Sequence, residues 1–244
     1  LISIMHANNE IGTIQPLEEV GILAAERDIY LHTDAVQTVG KIPVDVEAMG
    51  TDLLSLSSHK LYGPKGVGAL YIRRGTKMQS LATGGGHERS RRSGTENVAG
   101  IVGLARAADL AGEEMAAEGQ RLVELRDRLA SLVLGQVKDA WINGSMKKRL
   151  PGSLNFGFSY VEGESLLLYL DSKGVAVSTG SACSSHKLEP SHVLLALGLR
   201  PEECHGSLRI TMGRSNSRED VDYVADCIAE AVERFRGISA LGRG

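Results

Sequence analysis

The chain has 244 residues, enough for one large or two ordinary domains. Apolar residues make up 42% and charged residues 23%, as in a soluble globular protein, and the formal net charge of −3 creates no field for nucleic acid or an anionic membrane. Aromatics at 4% leave few rings to stack bases, and no run of about 18 apolar residues offers a membrane-spanning helix.

Leu1–Met5 reads as a strand entered partway, with no initiator Met and no basic leader segment, so a fragment of a longer chain is expected. Leu17–Arg27 reads as a helix with Pro16 near its first turn. Ile29–Thr33, Leu53–Leu56 and Gly68–Ile72 read as further strands, and their alternation with helices and loops predicts a mostly parallel α/β sheet. Glu96–Gln136 is helical almost throughout, with Gly135 a candidate break. Beyond it, strand-like runs (Ser153–Phe158, Val175–Ser178, Ser207–Thr211) mix with helices (Gly163–Ser172, Pro190–Leu197, Arg218–Arg236), the pattern of a smaller α+β domain. The expected division is residues 1–115 and 116–244.

Candidate chemistry lies at the predicted strand ends. Asp34 closes an apolar strand, where it either caps the helix expected to follow or pairs with a protonated ring nitrogen. Lys60 stands at the end of Leu54–Ser58 before a Gly-Pro turn. It is either a solvated surface lysine or one that bonds covalently to a carbonyl, which needs a partly desolvated pocket. Ser57 and His59 beside it are donors suited to a phosphate, and ligands of open α/β sheets sit beyond the carboxyl ends of strands. Gly84–Asn97 is rich in glycine and arginine. It is a flexible cationic loop or an anion site, and Thr95 caps the following helix or meets a phosphate. Arg209, on the alternating strand Ser207–Thr211, is a surface ion-pair partner or a two-pronged carboxylate fork.

The three cysteines, Cys183, Cys204 and Cys227, are odd in number and irregularly spaced. That is no disulfide framework and points to a reducing, cytoplasmic setting. Cys183 sits among small polar residues in Ser178–His186, as an accessible thiol does. Cys183 and His186, with Cys204–His205 downstream, also raise a zinc site, but adjacent Cys-His is poor ligand spacing. Cys227 falls beside Val224 and Ala231 on a predicted helix, a core position.

The order of these segments carries more than any one of them. His6–Gly12, Thr33–Gln37, Ser57–Lys60, Arg92–Thr95 and Gly180–Ser184, in that order, closely resemble the cysteine desulfurases of aminotransferase class V, with the NifS/IscS branch most similar. Leu188–Leu194 leans toward the nitrogen-fixation type. The resemblance runs nearly end to end and implies a fold-type-I pyridoxal-phosphate (PLP) transferase whose first third lies outside this sequence. It implies that Lys60 holds PLP, that Asp34 pairs with the ring nitrogen, and that Asn9 and Gln37 bond near the ring 3-oxygen. It further implies that Ser57 and His59 bind the phosphate and that Thr95 reaches the phosphate of the other subunit of a homodimer. Arg209, with Asn9, would hold the substrate carboxylate, and Cys183 would take sulfur from L-cysteine, leaving L-alanine. An iron-sulfur scaffold or other acceptor protein would receive that sulfur. No resident metal is implied, and iron would meet Cys183 only during transfer. A selenocysteine lyase or another fold-type-I PLP enzyme, and an inactive or acceptor-binding fragment, are the rival expectations.

Overall fold

The computed structural model describes residues 1–180 and 189–238. It divides into two compact units, Leu1–Ala7 with Gln15–Ala116, and Asn8–Ile14 with Ala117–Gly244.

The first unit is built on a sheet of four strands in spatial order β1 (Ile2–Met5), β2 (Leu31–Asp34), β3 (Leu53–Ser57) and β4 (Gly68–Ile72). The first three run parallel, with Met5 opposite Asp34 and Asp34 opposite Ser55, while β4 returns antiparallel to β3. Side chains alternate across a sheet, so these registers sort the residues into two faces. Ile4, Ala35, Leu54, Leu56 and Tyr71 pack with Leu17 and Met49 into an apolar cluster. Ser3, His32, Asp34, Ser55 and Ser57 alternate onto the other face. Helix α1 (Leu17–Ala25) buries Leu17, Gly21 and Ala24, and Glu18 and Glu19 in its first turn complement the helix dipole. It stops two residues short of the predicted Arg27, because the chain turns out through Asp28 in a left-handed conformation, φ 52°. After the single turn α2 (His87–Ser90), helix α3 (Val98–Gln136) runs unbroken. Gly135 falls in its last turn and does not interrupt it, since one glycine costs a helix only about 1 kcal/mol.

The second unit carries three antiparallel strands, β5 (Ala140–Ile142), β6 (Ser153–Phe158) and β7 (Ser207–Thr211), with β6 central and buried along its whole length. Phe156, Phe158, Leu154 and Leu208 pack against α3, α4 (Gly163–Ser172) and α7 (Arg218–Ile238). Each such side chain contributes about 1.5–3 kcal/mol on burial. The amphipathic α7 buries Val221, Ala225, Ile228 and Val232. A reciprocal box caps it: the Asp220 amide donates to Ser217 Oγ (3.1 Å) and the Ser217 amide to Asp220 Oδ2 (2.9 Å). Cys227 is buried in this core. Two short helices, α5 (His192–Ala196) and α6 (Pro201–His205), pack Leu194 and Cys204 with Ile11. Val175–Ser178 alternates like a strand, but only Ser178 pairs, as an isolated bridge to Arg209. β5 and α6 are too short for a periodicity to announce them.

Candidate active site

In the first unit the carboxyl ends of β2 and β3 lie side by side and carry the predicted polar residues. Asp34 is the last residue of β2, exposed, and its Oδ1 accepts from the Val36 amide at 2.9 Å. The expected helix does not follow: residues 36–41 form a turn, and Asp34 closes that turn and caps no helix. Gln37 follows in the same turn. β3 ends at Ser57, and the chain then folds into a 3₁₀ turn, Ser58–Leu61, that contains His59 and Lys60. Buried Ser58 and Leu61 hold this turn inward while His59 is exposed and Lys60 half-buried. The turn closes at Tyr62 in a left-handed conformation, φ 62°. Gly63 comes next, where a Cβ would stand 2.3 Å from Ser58 Oγ, so only glycine fits. Ser57 Oγ and His59 Nδ1 are hydrogen-bonded at 2.8 Å.

Lys41 is the residue the sequence did not single out. Its Nζ donates to Gln37 Oε1 at 3.4 Å. Burial, with the nearby charge of Lys60 adding to it, lowers its ammonium to about 8. The Asp34–Lys41 turn and the Ser57–Lys60 turn are therefore neighbours, and they bring together a carboxylate, an amide, a hydroxyl–imidazole pair and two amines. A second missed feature is a polar ladder across the open sheet face. Ser3 Oγ meets His32 Nδ1 at 2.7 Å, and His32 Nε2 meets Ser55 Oγ at 2.9 Å. It leads along the same face toward Asp34. His6, just past β1, is buried, its Nδ1 without a partner among the described residues, and burial lowers its pKa.

Thr95 lies in the exposed stretch before α3. It does not cap that helix. Asn97 does, its Oδ1 accepting from the Gly100 amide at 3.1 Å, because the helix starts later than the predicted Glu96.

In the second unit Asn9 is half-buried in the Asn8–Ile14 turn. Arg209 is half-buried in β7, opposite Asn155 of β6 and bridged through its backbone to Ser178. Cys183 and His186 lie outside the described residues. Cys204 is buried, and burial raises its thiol pKa, helped by the charges of Glu203 and Glu202, which makes it a packing residue.

The mostly parallel sheet, with a strand-end carboxylate beside a lysine turn, places the first unit in the α/β class. The aminotransferase class-V family model matches residues 1–224, and the chain belongs to that family. It is 57% identical over 239 residues to the cysteine desulfurase IscS of Dictyoglomus turgidum, covering 98% of this chain and 61% of that protein. To the cysteine desulfurase IscS of Methanosarcina thermophila it is 54% identical over 241 residues, covering 99% of this chain and 59% of that one. Among solved structures, a NifS-like protein superposes with a TM-score of 0.86 at 40% identity, over 95% of this chain and 60% of its own. A NifS-like protein from Rickettsia africae superposes at 0.85 and 29% identity, over 95% and 61%. The chain thus spans about 60% of the length of the curated relatives it matches. Among the described residues, no helix is long and apolar enough to cross a membrane.

Proposed function

We propose that the intact protein is a PLP-dependent cysteine desulfurase that converts L-cysteine to L-alanine and leaves a persulfide on Cys183. The observation that carries this reading is the 50–57% identity to cysteine desulfurases along almost the whole of this chain.

The donor set of the first unit fits the cofactor. PLP presents a ring N–H, a phosphate dianion and an aldehyde, and, when bound, it supplies an electron sink for charge developing at the substrate Cα. Asp34 has one carboxylate oxygen engaged by Val36 and stands on the open sheet face, suited to accept from the ring nitrogen. Ser57 and His59 offer a hydroxyl and an imidazole for the phosphate, and Gln37 an amide for the ring 3-oxygen. Lys60 provides the amine for covalent attachment and, once freed, a base that moves the Cα proton. Asn9 and Arg209 serve the substrate carboxylate, and Thr95 serves the phosphate of a second subunit in a homodimer.

The Cys183 thiolate attacks the substrate sulfur. The Cβ–S bond breaks, the Cβ carbon gains a proton and leaves as part of alanine, and the transferred sulfur remains as Cys183–S–SH. A thiolate is required because a thiol is a poor nucleophile. The persulfide sulfur then passes, in the cytoplasm, to an acceptor protein such as an iron-sulfur scaffold.

Two variants of the intact protein test these roles separately. Lys60→Ala abolishes turnover of cysteine. Cys183→Ala retains the visible absorbance of the bound cofactor but forms no persulfide and releases no sulfide. Wild-type sulfide release from Cys183→Ala would refute the assignment.

A further inference from the structure

Lys41 ends the turn, residues 36–41, that carries Gln37 out of β2. The backbone of this turn is well tied. The amides of Thr38 (3.0 Å) and Val39 (3.1 Å) donate to the Ala35 carbonyl, and those of Lys41 (2.9 Å) and Ile42 (3.1 Å) donate to the Thr38 carbonyl. Thr38 Oγ1 adds a bond to the Ala35 carbonyl at 3.2 Å, and Gly40 takes the left-handed φ of 72° that this path needs. Val39 packs against the cluster of Leu61, Ala107 and Ala111, and Leu61 ends the turn that holds Lys60.

On this frame the Lys41 side chain meets that of Gln37. Among the described residues Lys41 Nζ has no carboxylate partner, and its acceptor is Gln37 Oε1 at 3.4 Å. With its ammonium lowered to about 8, Lys41 is still mainly protonated at pH 7. A protonated lysine has three donors and no acceptor. The amide oxygen of Gln37 must therefore be the atom turned to it, and the Nε2 group on the same planar carbon points elsewhere. Among the described residues that Nε2 has no partner. An amide free to flip offers a ligand oxygen or nitrogen about equally, and its side chain keeps several rotamers. Lys41 removes both freedoms.

We infer that Lys41 is a positioning residue for the cofactor: its ammonium holds the Gln37 amide by the oxygen and so keeps the Nε2 donors available to the ring 3-oxygen of PLP. The inference rests on Gln37 as the residue that serves that oxygen. A ring 3-oxygen that has lost its proton can only accept, so a flipped Gln37 would set two acceptors against each other and lose the bond. A methionine of similar length would fill the same space without burying a charge, so what the ammonium adds is orientation.

The test uses the intact protein, freed of PLP and titrated with it, and reads the visible band of the bound cofactor. Gln37→Leu weakens PLP binding by about 10- to 100-fold, the loss of a hydrogen bond to a charged oxygen, and moves the band. Lys41→Met frees the Gln37 side chain, which must then be ordered as PLP binds. It weakens binding by about 3- to 10-fold and moves the band in the same direction. In the Gln37→Leu background the same Lys41→Met change alters affinity by less than about twofold and leaves the band in place, because a residue that acts through another has no effect once the other is gone. Wild-type affinity and band in Lys41→Met overturn the inference. An equal loss in both backgrounds overturns it too, since Lys41 would then act as a general positive charge or through the fold. Should Lys41→Met fail to fold, Lys41→Leu carries the same expectation and is overturned by the same two results. The single variant Gln37→Leu separates the two ideas. Unchanged binding there removes Gln37 from the cofactor, and the inference with it, whereas a loss there with a silent Lys41→Met removes only the role of Lys41.

Discussion

Lys41 allows the sharpest quantitative statement about the first unit. Its ammonium falls from 10.5 to about 8, first because it is buried and second because Lys60 is near. At 1.36 kcal/mol per pH unit, the fall corresponds to about 3 kcal/mol disfavouring the charged folded form. The sign follows from linkage. At pH 7 the lysine is protonated in both the folded and the unfolded chain, so folding carries the whole penalty. As pH rises through about 8 the folded chain releases its proton while the unfolded chain keeps it until about 10.5, so stability recovers across that window. Lys41→Met keeps the aliphatic bulk, removes the charge and gives up only a long 3.4 Å bond to Gln37. The variant should therefore be more stable than wild type at pH 7 by up to about 3 kcal/mol, with the gap closing toward pH 10.5. Urea midpoints of both proteins from pH 7 to 10.5 measure this directly, since ionisable groups that do not interact with Lys41 cancel in the difference. Parallel pH profiles would refute the claim that Lys41 is buried as a charged group. Such a cost is characteristic of functional sites, where charges are retained against stability.

Gly157→Ala in β6 places a Cβ 2.2 Å from Trp141 Cε2 and 2.3 Å from Cζ2, against the face of the indole ring. It should cost about 1–3 kcal/mol and shift the emission of Trp141, and an unchanged thermal midpoint would contradict the packing described. Asn155→Leu strips a buried amide that accepts from Asn143 Nδ2 (2.7 Å) and donates to the Glu10 carbonyl (3.2 Å). Two buried groups are left unpaired, for a loss of about 2–4 kcal/mol in urea unfolding, and a neutral result would mean that water replaces the amide.

How much of this was legible in the sequence depends on how far each signal reaches. Asp34 and Lys60 could be found because each sits at the end of an apolar strand, and strand-end position is written locally in a run such as Leu53–Ser57. The helices α4 and α7 and the strands β6 and β7 were equally plain, since an amphipathic period or a dense apolar run spans each one. Val175–Ser178 misled for the complementary reason. It alternates as a strand should, but strand formation needs a partner edge along its length, and only Ser178 meets one. The antiparallel return of β4 and the short β5 are likewise settled by pairing, which no single segment encodes.

The residues missed at the site share a different property: each gains its meaning from a distant partner. Lys41 in Val39–Pro43 looks like any surface lysine, and its burial comes from the turn that lays it near Lys60. Ser3, His32 and Ser55 are ordinary polar residues until parallel pairing aligns them across three strands. Glu10 lies inside a segment already noticed for its pattern, yet its hydroxyl partner is 181 residues away. Side chains that react directly must be of a few chemical types, so composition and local setting expose them. Side chains that only hold others in place can be of many types. Their selection acts through geometry, and so a buried carboxylate such as Glu10, which accepts from Ser191 Oγ, becomes visible only when the chain is folded.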